Sequence, residues 1–325
     1  MLAPDIPLLD LPAIERVGML LQDLGIEVVH SHHAWVDVNL ATFLAASTAI
    51  RHVVTLHGMY EMMDRNQLRE LLPRLEQRVD AFVHTTAKNL SAFPADFLDR
   101  KRFVRINNAL AVSPLAGLSR ADLGLCADDF VLCMVARAIP EKGWEEAIAA
   151  VVAANAVSAR SIHLLLIGAG GEAERLARGC DHPFVHFLGF RPNVRDYFAV
   201  ADAGLLPTRF KGESAPLVLI DCLLAGRPML ASAVGEIPHM LDSGAGLAGL
   251  VFALHDWTID VAGLGRMIAA LADDEPHYRA LLARVPAAAA RFDVGTMVDQ
   301  YEALYLEVIE SAARSGEAHA EAGTR

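Results

Sequence analysis

Short apolar runs that favour β-strands alternate with helical patterns along most of the chain, and this alternation restricts the possible folds most. The runs IEVVHSH, HVVTLHG, DAFVHTT and KRFVRINNA follow one another, with helix-like stretches around them. After a stretch that contains Pro, Gly and Ser between residues 112 and 127, the alternation restarts with FVLCMVARA, IHLLLIGAG, FVHFLGF, AGLLPT and PMLASAV. This order is typical of parallel sheets covered by helices. We therefore expect an α/β protein with two βα domains and a cleft between them, where ligands bind at the carboxyl ends of strands.

Domain boundaries and broad class follow from composition. We assign residues 1–112 to the first domain and residues 113–298 to the second, and we expect a helix and then a disordered tail over residues 299–325. The formal net charge is −12 and no basic stripe is interleaved with aromatic residues, which argues against a nucleic-acid partner. No apolar run reaches the length of about 18 residues that a membrane span needs, and no signal-peptide pattern is visible. We therefore expect a cytoplasmic protein, with surface contact to a membrane left open.

The segment VARAIPEKGW places two cations at the end of a predicted strand. Arg137 follows the apolar run directly, and Lys142 comes just before a predicted helix that begins near Gly143. Two cations at a strand end beside a helix N-terminus can hold a diphosphate. The alternative is that both are solvated loop residues.

The segment RFKGESAPLVLIDCLLAGRP contains an acid inside an apolar helix pattern. We expect Ser214 at the N-cap, Pro216 in the first turn and Gly226 at the end of this helix. Such a helix should be buried, so Asp221 in its interior needs a partner. Glu213 precedes the helix, and both carboxylates could accept hydrogen bonds from sugar hydroxyls beside a helix start that suits a phosphate. The alternative is a surface acid together with an acid that pairs with a core histidine or arginine.

Three further motifs are less specific. IGAGGEA fits the dinucleotide pattern GxGxxG/A from Gly168, but it lies in the middle of the second βα series, and a glycine-rich turn explains it better. HSHHAW suggests metal ligands at first sight. However, His30 and His32 share a strand face while His33 points away, and no nearby carboxylate completes a set, so we interpret them as cleft or core residues. His57 ends a buried strand at its carboxyl end, where it either exchanges a proton or bonds a sugar hydroxyl, or is structural.

Taken together, these segments resemble the GT4-type family of retaining, nucleotide-sugar-dependent glycosyltransferases with the GT-B fold. The matching pieces occur in the family's order: HSHHAW, VVTLHG, NNA, ARAIPEKGW, LLLIGAGGE, VHFLGFRPNVRDYFAVAD and ESAPLVLIDCLLAGRPMLAS. The last piece is similar to the family's E-x7-E motif, and YEALY resembles part of the terminal helix that crosses back onto the first domain. The resemblance covers nearly the whole chain and implies two Rossmann-like domains that face each other across a cleft.

The resemblance also implies roles for individual residues. Arg137 and Lys142 would neutralise the donor diphosphate and stabilise the leaving nucleotide. Glu213 would contact the donor sugar, Asp221 would bond the ribose hydroxyls, and His57 would lie near the donor sugar and the acceptor. Further donor-binding positions would be Ser214, Ala215, Pro216 and Leu217 at the helix start, together with Gly168. Enzymes of this type usually need no metal or other cofactor, and no DxD-like site is visible here.

The expected activity is transfer of a sugar, with retention, from a GDP- or UDP-sugar donor to a glycan or lipid-linked acceptor in polysaccharide or lipopolysaccharide assembly. Two features depart from the family. Asp221 stands in place of the second glutamate, which shortens its reach by one methylene. IEVVHSH resembles a later strand of the family, so we expect the first domain to be incomplete at its N-terminus. The alternative function is a nucleotide-sugar-binding remnant or partner protein without turnover, and an oxidoreductase that uses IGAGGEA is disfavoured.

Overall fold

The computed structural model describes residues 11–44 and 50–322, and the side chains of residues 16–44 and 50–311. The chain forms two compact units. Unit 1 consists of Met1–Asn108 together with Gly295–Arg325, and unit 2 consists of Ala109–Val294. Both boundaries lie within a few residues of those assigned from the sequence.

Helices and strands alternate in the described residues. The strands are Val28–Ser31 (β1), Arg51–Leu56 (β2), Ala81–His84 (β3), Phe103–Arg105 (β4), Phe130–Val135 (β5), Ile162–Ile167 (β6), Val185–Gly189 (β7), Ala203–Leu206 (β8), Met229–Ser232 (β9) and Gly249–Phe252 (β10). The helices are Leu11–Asp23 (α1), Ala34–Leu44 (α2), Arg65–Arg78 (α3), Ala95–Arg100 (α4), Trp144–Asn155 (α5), Gly171–Ala177 (α6), Val194–Val200 (α7), Leu217–Leu224 (α8), Ile237–Met240 (α9), Val261–Asp273 (α10), Glu275–Leu282 (α11), Val285–Ala289 (α12) and Val294–Ala322 (α13).

Unit 1 is built on a parallel sheet with the strand order β1-β2-β3-β4. Successive side chains of a strand point to opposite faces, and both faces of this sheet are covered. Val54 and Phe82 pack under α2 and α3, whereas Val53 packs on the other face with Leu304 and Val308 of α13. The terminal helix therefore lies on the sheet of unit 1, as the resemblance implies.

Unit 2 has a parallel sheet with the strand order β10-β9-β8-β5-β6-β7. Phe130, Leu132 and Met134 pack with α5 and α10, while Val131 and Cys133 pack with α7 and α8 on the other face. The chain adds β6 and β7 on one side of β5, then returns and adds β8, β9 and β10 on the other side. The strand order therefore reverses between β5 and β8, and open α/β sheets bind ligands at the carboxyl ends of strands on either side of such a point.

Several elements differ from the sequence-based expectations. β10 and α9 are not predicted. The amphipathic pattern of EPHYRALLARVPAAAARF predicts one helix, but the structure divides it into α11 and α12 because Pro286, which lacks an N–H, stands in the first turn of α12. α8 begins at Leu217 with Pro216 at its N-cap, so Ser214 is not the capping residue. α13 continues to Ala322, where composition predicts a disordered tail, since its Ala- and Glu-rich end has high helix propensity.

Of the helices that the structure describes, over residues 11–44 and 50–322, none is both long enough and apolar enough to span a membrane.

Candidate functional site

The switch point of unit 2 brings together the loops after β5 and β8. Arg137 lies just beyond β5 and is exposed, and Thr208 lies just beyond β8 and is buried. Ser232, the last residue of β9, donates a hydrogen bond of 2.5 Å from its Oγ to the carbonyl oxygen of Thr208. The neighbouring strand end therefore fixes the backbone from which the loop of residues 208–213 departs.

An ion pair between two distant segments occupies the centre of this region. Lys142 Nζ donates to Glu213 Oε2 at 2.5 Å, and the Thr208 hydroxyl donates to the same oxygen at 3.0 Å. The side chains of Lys142 and Glu213 are only 12% and 9% exposed, so solvent screens the pair weakly. The acid and the cation predicted from different motifs are therefore in direct contact.

An aromatic ring connects the second predicted cation to this pair. Lys142 Nζ lies 5.2 Å from the centroid of the Phe210 ring, and Arg137 Cζ lies 5.9 Å from it. Both cations thus lie over one ring at distances where the ring quadrupole attracts positive charge. Two positive charges and one carboxylate thus lie together at the carboxyl ends of β5 and β8. Such a combination can hold a diphosphate next to a group that carries hydroxyls.

The predicted helix start lies beside the ion pair. Ser214 and Pro216 are buried, Ala215 is half-buried and Leu217 is 48% exposed. The carbonyl oxygen of Ser214 accepts a hydrogen bond of 2.9 Å from the backbone N–H of Glu236. This segment directly follows Glu213 in the chain, so the start of α8 and the acid share one location. Whether residues 214–217 contact a donor stays a prediction.

Asp221 has a partner inside the protein. Its Oδ1 lies 3.6 Å from Nε of Arg195, and the two side chains are 18% and 14% exposed. Nη2 of Arg195 also donates to the carbonyl oxygen of Ala111 at 2.8 Å. Burial raises the pKa of the Asp221 carboxyl, and Arg195 opposes part of this rise. The argument that the acid needs a ligand as its partner is therefore wrong. The arginine partner of the alternative describes Asp221, but the surface acid of that alternative does not describe Glu213, which is buried. The ribose contact remains a prediction.

Gly168 has a structural reason for being a glycine. Its φ is +145°, and a Cβ at this position would lie 1.9 Å from the carbonyl oxygen of Ala136. The turn after β6 thus packs against the loop after β5, which leads to Arg137. The glycine-rich turn is the better interpretation of IGAGGEA, and a donor contact at Gly168 stays a prediction.

His57 belongs to unit 1, where it follows β2. Its Nε2 lies 3.1 Å from Nδ1 of His32, and burial together with His32 lowers the pKa of His57. His30 bonds Tyr305 and Thr55, both at 2.7 Å, and burial lowers the pKa of His30 to about 3. These histidines are therefore neutral hydrogen-bonding groups at pH 7. Over the part of the chain that the structure describes, no three His, Cys, Asp or Glu side chains are arranged to hold a metal ion.

Sequence reasoning missed Thr208, Phe210 and Arg195. Thr208 is the last residue of the run AGLLPT and Phe210 lies two residues beyond it, so their position at a carboxyl strand end was the available signal. Arg195 lies in the first turn of α7, where the helix dipole favours acids, so a cation there suggests a specific partner.

Two family models match the chain. The model described as Glycosyltransferase Family 4 matches residues 1–111, and the model described as Glycosyl transferases group 1 matches residues 129–274. Among curated proteins, D-inositol 3-phosphate glycosyltransferase 1 of Catenulispora acidiphila is 25% identical, over an alignment that covers 90% of this chain and 75% of the relative.

Solved structures with the same fold include Anabaena HepE in complex with UDP, with a TM-score of 0.74 at 20% identity over 91% of this chain and 82% of that chain. Sucrose-phosphate synthase from Thermosynechococcus elongatus has a TM-score of 0.74 at 20% identity over 92% of this chain and 78% of that one. At such identities the structural likeness shows the fold alone. The two family matches fall on unit 1 and unit 2 in turn, and with the fold they show that the chain belongs to the GT4-type glycosyltransferases, which have the GT-B fold.

Proposed function

We propose that the protein transfers a sugar, with retention, from a UDP- or GDP-sugar to a glycan or lipid-linked acceptor in the assembly of a polysaccharide or lipopolysaccharide. In this proposal it works in the cytoplasm, with surface contact to the membrane left open, and uses no metal or other cofactor. HepE, solved with UDP, supports the donor class by analogy. The acceptor class comes from the family resemblance.

The observation that carries the proposal is the contact between Lys142 and Glu213 at 2.5 Å. In a donor complex, the same ammonium can bridge the carboxylate and a phosphate oxygen, because it has three donors. Glu213 would then be held where a sugar attached to that phosphate presents its hydroxyls. Arg137, exposed over Phe210, would bind the remaining phosphate charge. Asp221, in the second turn of α8, would accept hydrogen bonds from the ribose hydroxyls.

Transfer breaks the bond between C1 of the sugar and the diphosphate oxygen, and forms a bond from an acceptor oxygen to C1. Negative charge grows on the leaving diphosphate, so Arg137 and Lys142 would stabilise the transition state more than the bound donor. A leaving oxygen that stays on the same face can take the acceptor's proton, which gives retention by a front-face route. His57, whose pKa burial lowers, would hydrogen-bond a sugar or acceptor hydroxyl as a neutral imidazole.

Calorimetry with UDP-glucose and GDP-mannose tests the donor site. We expect the wild type to bind one of them, and Lys142→Ala to bind it about 100-fold more weakly. Glu213→Ala should lose more affinity for the sugar nucleotide than for the corresponding UDP or GDP without its sugar. The matched control is Arg279→Ala in α11, a cation that is 75% exposed and paired with Glu275 in the same unit. Its affinity should equal that of the wild type.

Three results would count against the proposal. Binding of NADH without binding of either sugar nucleotide would remove the donor class, and activity untouched by Glu213→Ala would remove the site assignment. A product with inverted configuration, read from the anomeric proton coupling in NMR, would remove retention. Donor binding without hydrolysis or transfer would instead support the alternative of a binding protein without turnover.

A further inference from the structure

The loop of residues 208–214, which carries the acid of the ion pair, is held at both ends from the carboxyl end of β9. At the start of the loop, the Ser232 hydroxyl donates to the carbonyl oxygen of Thr208. At its end, the backbone N–H of Glu236 donates to the carbonyl oxygen of Ser214 at 2.9 Å. All four residues are buried. The residues between Ser232 and Glu236, which we call the β9 turn, therefore restrain the loop from one side.

Gly235 is the residue of the β9 turn whose backbone touches this loop. Its φ is +58°, and a Cβ on it would lie 2.5 Å from the carbonyl oxygen of Glu213 and 2.7 Å from that of Ser214. Both oxygens belong to the backbone, so no change of rotamer can move them away. Since real Cβ atoms keep contacts of at least 3.0 Å, any larger residue would push the turn and the loop apart by about 0.5 Å.

Lys142 is anchored separately, at the start of the loop. The backbone N–H of Arg209 donates to the carbonyl oxygen of Glu141 at 2.8 Å, and a Cβ on Gly143 would lie 2.1 Å from the carbonyl oxygen of Pro207. Both chain neighbours of the lysine are therefore fixed against the segment that leaves β8. A displacement at the far end of the loop, where the acid lies, would change the position of the acid relative to the lysine instead of moving both together.

We propose that Gly235 is a positioning residue for donor binding, because it lets the β9 turn hold the Glu213 backbone where the carboxylate can reach the donor sugar. Gly235 itself would not touch the reacting atoms. A misplacement of about 1 Å can cost a site about 100-fold, so we expect about tenfold for half of that distance. The role in donor binding rests on the proposed function, whereas the restraint of the loop does not.

Gly235→Ala tests the proposal, with Gly226→Ala as the matched control. Gly226, just after α8, has a φ of +76°, and a Cβ on it would meet nothing within 4 Å. Both alanines strain the backbone in the same way, but only the one at position 235 meets the loop. We expect Gly235→Ala to bind the sugar nucleotide about tenfold more weakly by calorimetry, and to bind the corresponding UDP or GDP within about twofold of the wild type. Gly226→Ala should match the wild type for both ligands.

Two further measurements distinguish positioning from a general loss of structure. In the Glu213→Ala background, Gly235→Ala should cost less than about twofold in affinity for the sugar nucleotide, because the group that it positions is absent. Hydrogen exchange of the Glu236 amide, followed by NMR, should become at least about tenfold faster in Gly235→Ala and stay unchanged in Gly226→Ala. If Gly235→Ala does not fold, Gly235→Asn and Gly226→Asn repeat the comparison, because asparagine tolerates positive φ more readily.

Equal affinity of Gly235→Ala and Gly226→Ala for the sugar nucleotide would overturn the proposal. A loss of about tenfold that persists in the absence of the Glu213 carboxylate would also overturn it. If the wild type binds neither sugar nucleotide, the proposed function fails, and the role of Gly235 in donor binding fails with it. Faster exchange of the Glu236 amide in Gly235→Ala alone would then still establish that the β9 turn restrains the loop.

Discussion

The ion pair between Lys142 and Glu213 gives a quantitative test of the site in the absence of any substrate. Glu213→Ala removes the carboxylate that accepts from both Lys142 and Thr208, and it leaves a mostly buried ammonium without this partner. Breaking a buried pair from one side costs about 3–5 kcal/mol. We expect the lower value, about 3 kcal/mol of unfolding free energy, because the lysine stem is flexible enough to carry its charge towards water.

A double-mutant cycle measures the interaction energy between Lys142 and Glu213 separately from their contacts with other residues. Glu213→Gln keeps an acceptor for Thr208 and should cost about 1–2 kcal/mol, since a hydrogen bond to a charged group becomes a neutral one. Lys142→Met keeps the length of the side chain and removes the charge. We expect a coupling energy of about 2 kcal/mol between these two changes, measured by urea unfolding. The exposed pair Arg279–Glu275, at 2.7 Å, is the matched control and should give about 0.5 kcal/mol or less.

A high salt concentration should increase the difference between the coupling energies of the two pairs. Raising the ionic strength to about 1 M shortens the Debye length to about 3 Å, which should remove the coupling of the control pair and leave most of that between Lys142 and Glu213. Coupling energies that are equal for the two pairs, or within about 0.5 kcal/mol of zero for Lys142 and Glu213, would refute the reasoning. The site would then be assembled by packing alone.

Three further predictions follow from single positions. Burial lowers the pKa of His52 to about 4, from 6.5, so stability present above pH 6.5 should be lost as pH falls towards 4. The loss should total about 3 kcal/mol by urea unfolding, and His52→Gln should remove this part of the pH dependence. Gly168→Ala should lower the unfolding free energy by about 3 kcal/mol, because its Cβ would meet a backbone oxygen at 1.9 Å. Under the proposed function, Asp221→Glu should bind UDP about fivefold more tightly and Arg195→Ala about fivefold more weakly, by calorimetry; unchanged affinities would remove both residues from the site.

Much of the framework could be predicted from sequence because the determining signals are local. Apolar runs give the strands, and cations or histidines that directly follow a run give the carboxyl edge of a sheet. Arg137 is predicted at this edge because it directly follows an apolar run, whereas Lys142 and Glu213 are predicted near it because each comes just before a helix start. β10 escaped because GLVF is short and lies among small residues that mask its boundaries. The division into α11 and α12 is hidden in the periodicity, because the apolar spacing continues across Pro286 while its missing N–H interrupts the helix.

The partner of each charged group could not be predicted, since partners are brought together by strand order. Lys142 meets Glu213 because β5 and β8 are neighbours in the sheet, although they are far apart in the chain. Strand order is a global property that periodicity does not encode. The turn after β10, where Asp256 and Trp257 both have positive φ, is a different case, because the pattern His-Asp-Trp-Thr contains no residue that announces positive φ at the tryptophan. Only the backbone reveals this conformation.

Asp221 shows why pairing inside the protein and binding of a ligand are compatible. A carboxylate offers about four lone-pair directions, and Arg195 approaches one oxygen at 3.6 Å, longer than a hydrogen bond. The arginine therefore reduces the electrostatic penalty of burying the acid without using up its capacity to accept hydrogen bonds. Two ribose hydroxyls would supply donors at shorter range. Under the proposed function, the contact with Arg195 leaves lone pairs of Asp221 for two ribose hydroxyls, and the same arginine opposes the rise in the pKa of the acid that burial causes.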